Sequence, residues 1–154
     1  MKHQLHVFPG FGTGGSQRRF VQLYEALPEW QHTVISLSDD ISAAGLCDDT
    51  NRLDVRTLKL RKSRGVSGGN VLKLSDLIKE FSPDLLCTYN WGSMEAVFAN
   101  RTGSRLPHIH FEDGFGPDEM DRRKKKRNMV RRFALRGDSI TVLPSHTLSE
   151  IALK

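Results

Sequence analysis

Two short stretches carry the residue types that do chemistry. PGFGTGGSQRR, residues 9–19, sets Gly10, Gly12 and Gly15 in GxGxxG spacing between an apolar run and an amphipathic one. Such a loop suits phosphate, because glycines allow a tight turn and a close backbone approach while the free amides of a following helix attract an anion. The helix dipole contributes about 0.3–1 kcal/mol, and up to about 2 when partly buried, so the loop assists an anion without defining its site. The second stretch is HIHFEDGFGPDE, residues 108–119. In extended conformation it puts His108, His110 and Glu112 on one face and Ile109 and Phe111 on the other.

Each stretch admits several readings. A dinucleotide site needs an acid near the end of the second strand to hold a ribose hydroxyl, and Asp39 and Asp40 lie 24 and 25 residues past Gly15, rather late. Pro9 removes a donor at the turn, and the Gly14-Gly15 pair weakens the helix start. The loop could equally be an unliganded connection. In the third reading it lets a large ligand approach across a cleft, with Gly14, Gly15 and Ser16 facing phosphate and Arg19 or Arg18 supplying charge. In the second stretch the two histidines and the carboxylate could hold a metal, could be ordinary hydrogen-bonded strand residues, or could recognise substrate hydroxyls. A metal site draws ligands from several elements, and no other His or Cys cluster offers itself, so no metal is expected. Glu112 and Asp113, ahead of a glycine turn, are well suited to accept hydrogen bonds from a polyol.

These residues need a scaffold to position them. Strand-type runs recur at Leu5–Phe8, Thr33–Leu37, Val55–Leu60, Asp84–Thr88, His108–Phe111 and Ser139–Leu143, most of them separated by helix-period patterns. Phe20, Leu23, Tyr24 and Leu27 form one apolar stripe; Leu74, Leu77, Ile78 and Phe81 form another, which ends before Ser82-Pro83. Further helices are expected at 93–100, 129–136 and 145–153. Residues 38–54 and 61–70 fit neither pattern and read as loops or a short extra helix. This alternation predicts a doubly wound, mostly parallel α/β sheet in a single Rossmann-like domain over residues 1–154. Ligands of such sheets lie beyond the carboxyl ends of the strands. There the pattern places Gly10–Ser16, Asp39-Asp40, Asn90-Trp91-Gly92, Glu112-Asp113-Gly114 and Ser145-His146.

Composition narrows the class. The 154 residues are 38% hydrophobic and 27% charged, and no apolar run approaches the roughly 20 residues of a membrane helix. The amino terminus lacks the apolar stretch of a secretory signal, so a cytoplasmic protein is expected. Cys47 and Cys87 are isolated and read as buried thiols. The net charge of +5 is uneven: residues 122–136 hold nine of the 23 Lys and Arg and no acid, leaving 14 against 18 acids elsewhere. Arg122, Arg123, Lys124, Lys125, Lys126 and Arg127 would encircle a helix, so they must stand clear of the core. Beyond them Met129, Val130 and Phe133 should face inward, with Arg131, Arg132 and Arg136 outward. The segment reads as a solvated helix start or as a contact for an anionic membrane surface, at about 1 kcal/mol per residue that reaches it. Nucleic acid is disfavoured, since no aromatic residues interleave the charges.

Taken together, PGFGTGGSQRRF, YNWGSMEAVFAN, HFEDGFGPDE and RNMVRRFALRGDSITVLPSHTLSEIA resemble the amino-terminal half of a bacterial family 4, GT-B-type glycosyltransferase. The resemblance spans nearly the whole chain. It implies two Rossmann-like domains facing a cleft, the amino-terminal one for the acceptor and the other for a nucleotide-sugar. It further implies that Gly14-Gly15 approach the donor diphosphate or the acceptor, that His110, Glu112 and Asp113 lie by the reacting hydroxyl, and that Asn90 and Trp91 shape the acceptor pocket. Retaining enzymes of this kind generally need no bound metal. The donor-gripping carboxylate motif has no counterpart in this chain, so the isolated domain is expected to be inactive and to need a donor domain as partner. A sugar or lipid-linked acceptor, peripheral membrane contact and self-association through an exposed cleft rim complete the expectations. The alternatives are a non-catalytic Rossmann-like binding module and, less favoured, an NAD-dependent oxidoreductase domain.

Overall fold

Whether the strand ends converge depends on the direction of every strand, and the computed structural model shows all of them parallel. It describes residues 1–63, 65–113, 125–137 and 139–144. The strands are β1 (Lys2–Phe8), β2 (Trp30–Ser36), β3 (Leu53–Thr57), β4 (Leu85–Tyr89), β5 (His108–Phe111) and β6 (Ser139–Val142). They form one sheet in the order β3-β2-β1-β4-β5-β6, each neighbouring pair parallel. The order reverses between β1 and β4, the switch point of an open α/β sheet. Among the described residues the helices are α1 (Gly15–Ala26), α2 (Gly68–Phe81), α3 (Met94–Thr102) and α4 (Lys125–Ala134), with short 3-10 turns at Ser42–Leu46 and Trp91–Ser93.

Strand alternation divides the core in two. On one face Phe8, Val34, Cys87, Tyr89 and Phe111 pack with Phe20 and Tyr24 of α1. On the other Leu5, Val7, Ile35 and Leu86 pack with Leu74 and Ile78 of α2 and with Ala96 and Ala99 of α3. Both faces are covered, as a parallel sheet requires. The α2 stripe ends at Phe81, where Ser82 turns left-handed at φ 43° and its amide bonds back to Ile78.

The expected strands exist, but their bounds move. β1 and β2 begin three residues earlier than expected, because Lys2, His3 and Gln4 pair with Trp30, Gln31 and His32 although most of these side chains are polar. β3 stops at Thr57, short of the expected Leu60. A larger difference concerns α4. Met129 and Phe133 are 67% and 61% exposed, whereas Arg131 is buried. The inward positions are Arg127, Val130, Arg131 and Ala134, at i, i+3, i+4 and i+7. A buried carboxylate, described below, pulls Arg131 inside and turns the apolar pair to the surface. The helix expected at 145–153 and the Ser145-His146 pair lie outside the described residues, as do Gly114 to Lys124.

Candidate functional site

The carboxyl ends of β1, β4 and β5 bring three loops together. Asn90, directly after β4, adopts φ 55° and ψ 177°, a region otherwise kept almost wholly for glycine and costing about 1–3 kcal/mol. Hydrogen bonds over-determine it: its amide donates to Phe111 O at 2.8 Å, and its side-chain oxygen accepts the Asp113 amide at 2.8 Å. The turn after β5 is thereby fastened to the turn after β4. From the third loop Arg19, in the first turns of α1, forms an ion pair with Asp113.

Glu112 lies deeper. It is 4% exposed, and its Oε2 accepts from Arg131 Nε at 3.1 Å. Burying a carboxylate demands such a counter-charge. The guanidinium groups of Arg131 and Arg127 stand 5.1 and 5.3 Å from the Trp91 ring centre, within the range of cation–π attraction. Trp91 thus walls the site by seating the basic helix. His110 Nε2 is 3.5 Å from Glu112 Oε2, beyond good hydrogen-bond length.

Three buried polar atoms here lack a hydrogen-bond partner among the described residues: Glu112 Oε1, Asp113 Oδ2 and His110 Nε2. Buried polar groups are nearly always satisfied, so a cluster of unsatisfied ones calls for an explanation. Two carboxylate oxygens can only accept, and their natural complement is a ligand carrying hydroxyl donors. Behind them Thr88 Oγ1 sits 2.8 Å from both His110 Nδ1 and His108 Nε2. Burial, reinforced by His110, holds the His108 pKa down to about 4.

The glycine loop divides by role. A methyl on Gly12 would collide with the Asp40 carboxylate, and one on Gly10 would meet Ser38 Oγ at 2.9 Å, so these two positions are small because the chain's own β2 loop packs on them. Phe11 between them is buried, and its amide donates to Ser36 Oγ and Asp40 O. A methyl on Gly15 would meet nothing within 4 Å. Gly14 caps α1 in extended conformation without a side-chain cap, and the Ser16 hydroxyl donates to Gln17 Oε1 at 3.2 Å. Asp40, a candidate ribose partner in the dinucleotide reading, instead accepts from the Ser42 amide and hydroxyl. Asp39 pairs with Lys59 at the surface.

The structure thus brings Arg19, Asn90, Trp91, His110, Glu112 and Asp113 into one region at the strand ends, beside Gly14, Gly15 and Ser16. Arg122, Arg123 and Lys124 lie outside the described residues, Lys125 and Lys126 open α4, and Arg127 turns toward Trp91. The sequence pattern does not mark Thr88, and it turns Arg131 outward where the structure buries it. The signal for Arg131 was its spacing of four from Arg127, which puts two guanidinium groups on one helix side. Among the described residues no group of three His, Cys, Asp or Glu is placed to hold a metal.

Comparisons with known proteins agree with this architecture. The family described as Glycosyl transferase 4-like domain matches residues 14–153. No curated protein sequence matches. Among solved structures, sucrose-phosphate synthase from Thermosynechococcus elongatus aligns with TM-score 0.64 at 17% identity, over 99% of this chain and 44% of its own. UDP-GlcNAc 2-epimerase from Methanocaldococcus jannaschii aligns with TM-score 0.63 at 11% identity, over 99% and 42%. MurG from Acinetobacter baumannii aligns with TM-score 0.55 at 16% identity, over 81% and 40%. The chain therefore spans about two fifths of the length of these proteins.

Proposed function

Because this chain belongs to the glycosyl transferase 4-like domain family, we propose that it is the acceptor-side half of an enzyme that moves a sugar from a nucleotide-sugar to an acceptor hydroxyl. The observation that carries this reading is the trio of unsatisfied buried atoms, Glu112 Oε1, Asp113 Oδ2 and His110 Nε2, at the switch-point end of the sheet. An acceptor with adjacent hydroxyls donates to the two carboxylates, and the reacting oxygen lies within reach of His110. Arg131 fixes Glu112 from behind and Arg19 fixes Asp113 from the side, so neither carboxylate has to reorganise when the ligand arrives. Asn90 and Trp91 set the walls. The start of α1, open at Gly15 and faced by the Gln17 side chain at Gly14, lets the donor diphosphate approach Gly14, Gly15 and Ser16, with the nucleotide gripped by a donor domain opposite. The domain by itself does not transfer sugar.

The test pairs two measurements. Titration of the isolated domain with a panel of nucleotide-sugars should give no saturable heat, and the polypeptide carrying both halves should transfer labelled sugar in a manner that Glu112→Gln and Asp113→Asn abolish. Turnover by the isolated domain, or transfer indifferent to both substitutions, overturns the reading.

A lipid-linked acceptor is favoured by the outer face of α4. Met129 and Phe133 are exposed beside exposed Arg132 and Arg136, an apolar pair flanked by charge of the kind that settles into an anionic membrane surface. No helix among the described residues is long and apolar enough to cross a membrane. Flotation with phosphatidylglycerol vesicles should recover the domain, and Met129→Ser with Phe133→Ser should release it. Light scattering without lipid separates this from self-association through the same pair.

A further inference from the structure

Four buried or half-buried groups stand in line behind the site. Ser139 Oγ is 2.8 Å from His108 Nδ1, and His108 Nε2 is 2.8 Å from Thr88 Oγ1. Thr88 Oγ1 is in turn 2.8 Å from His110 Nδ1, whose far nitrogen looks into the site beside Glu112. The line crosses three adjacent strands, because the register sets Thr88 beside His110 and Ser139 beside His108. Thr88 and His110 are fully buried and His108 is 4% exposed, so the hydroxyl and the two ring nitrogens face one another away from bulk solvent.

A hydroxyl has one proton, and a neutral imidazole has one donor and one acceptor nitrogen. Thr88 can therefore donate to one ring only, while it accepts from the other. If it donates to His110 Nδ1, His110 carries its proton on Nε2, and His108 must donate from its own Nε2. If it donates to His108 Nε2, both rings carry their protons on Nδ1. Two arrangements remain: both rings donating to Thr88 leaves the hydroxyl proton buried with no acceptor among the described residues, and both rings presenting bare nitrogens leaves one of them against the hydroxyl lone pairs, while burial keeps His108 from escaping the choice by charging.

We propose that Thr88 is a positioning residue that locks His108 and His110 into the same tautomer, making Ser139–His108–Thr88–His110 a proton wire from the sheet edge to the reacting hydroxyl. The role at the hydroxyl rests on the glycosyltransfer reading; the lock itself does not. When His110 Nε2 takes a proton from the acceptor oxygen, its Nδ1 proton passes to Thr88 and the Thr88 proton passes to His108 Nε2. The His108 Nδ1 proton then passes to Ser139, which releases its own to solvent. One proton enters, one leaves, and no imidazolium forms beside the Arg131–Glu112 pair. After the transfer both rings have exchanged the Nδ1 form for the Nε2 form.

The lock is tested on the full chain with nitrogen-15-labelled histidine, by long-range proton–nitrogen correlation spectra at neutral pH, the two rings being assigned through His108→Asn and His110→Gln. Rings that both carry their protons on Nδ1 in the parent chain, retained in Thr88→Ser and made independent in Thr88→Val, bear the proposal out. Opposite tautomers in the parent, or matching ones that Thr88→Val leaves unchanged, overturn the lock, and rings that both carry their protons on Nε2 overturn the wire. Should Thr88→Val not fold, the parent spectrum and that of Ser139→Ala decide: the alanine variant, losing the acceptor for His108 Nδ1–H, should drive both rings together toward the Nε2 form, and a shift of His108 alone overturns the lock. Loss of the glycosyltransfer reading would show instead as absent transfer with these spectra intact.

Discussion

The two faces of the sheet each bury a histidine-centred hydrogen-bond chain, and the chains end differently. On the α1 face Tyr89 OH meets His6 Nδ1 at 3.0 Å, and His6 Nε2 meets His32 Nδ1 at 3.1 Å. This chain ends among the rings of Phe20 and Tyr24. On the α2–α3 face the chain through His108, Thr88 and His110 ends at Glu112, Arg131 and Asp113. Burial depresses His6 and His32 much as it depresses His108. A shifted histidine therefore does not by itself mark a site. What distinguishes the second chain is that it reaches the carboxyl ends of the strands, where two carboxylate oxygens lack partners among the described residues, whereas the first leaves His32 Nε2 unpartnered away from those ends.

The largest expected effect separates the faces by activity. In a polypeptide that pairs this domain with a donor domain, His110→Gln should lower transfer roughly 10²–10⁴-fold, the range for loss of a positioned general base. His32→Gln should leave turnover near that of the parent, and equal losses from both would dissolve the distinction. Next comes charge. Arg131→Met strands a buried carboxylate and should cost about 3–5 kcal/mol in urea unfolding, most of it recovered when Glu112→Leu is added. No substitution in the Tyr89–His6–His32 chain should show that kind of rescue.

Acid should then erode both faces together. His32 and His108 are held to about 4 when folded, whereas in the unfolded chain they titrate near 6.5. Below about pH 6.5 the unfolded state binds more protons, so stability falls as the pH drops from 6.5 toward 4, by on the order of 3 kcal/mol per ring at the bottom of that window. Unfolding midpoints at pH 7 and 4.5 should converge in part for His32→Gln and for His108→Asn. The smallest effects concern the glycine loop. Gly12→Ala, which pushes the exposed Asp40 carboxylate off Ser42, should destabilise by about 0.5–1.5 kcal/mol. Gly15→Ala, in open space at the first turn of α1, should stabilise by about 0.4–1 kcal/mol, yet weaken acceptor-dependent transfer if the donor diphosphate comes there.

The order of elements was legible because parallel strands buried on both faces read as apolar runs between amphipathic helices, and the ends of α1 and α2 follow from Pro28 and Pro83. The site was legible as a neighbourhood. His108, His110 and Glu112 share a face by alternation alone, and a parallel sheet puts Asn90 beside Asp113. Three things escaped. Thr88 looks like any β-branched strand residue, and only the register with His110 gives it two partners. Met129 and Phe133 carry the hydrophobicity of α4, so Arg131 seemed an outward residue until a buried carboxylate claimed it. Gly10 and Gly12 seemed to guard a ligand's space, whereas the loop after β2, which has no sequence signature of its own, fills it.

Three rings, Phe8, Tyr89 and Phe111, lie nearly parallel across β1, β4 and β5, with centroids 3.7 and 4.9 Å apart and planes within 11° and 9°. Each belongs to a different strand, and the β1–β4 gap they bridge is closed only when distant parts of the chain have met. Tyr89 at the middle of this pile is one of two tyrosines, and its immobilised ring gives near-ultraviolet circular dichroism a natural beacon. That signal should vanish in any compact state that keeps its helices but lets the strands slip, so a single optical reading can tell a correctly assembled domain from a merely collapsed one.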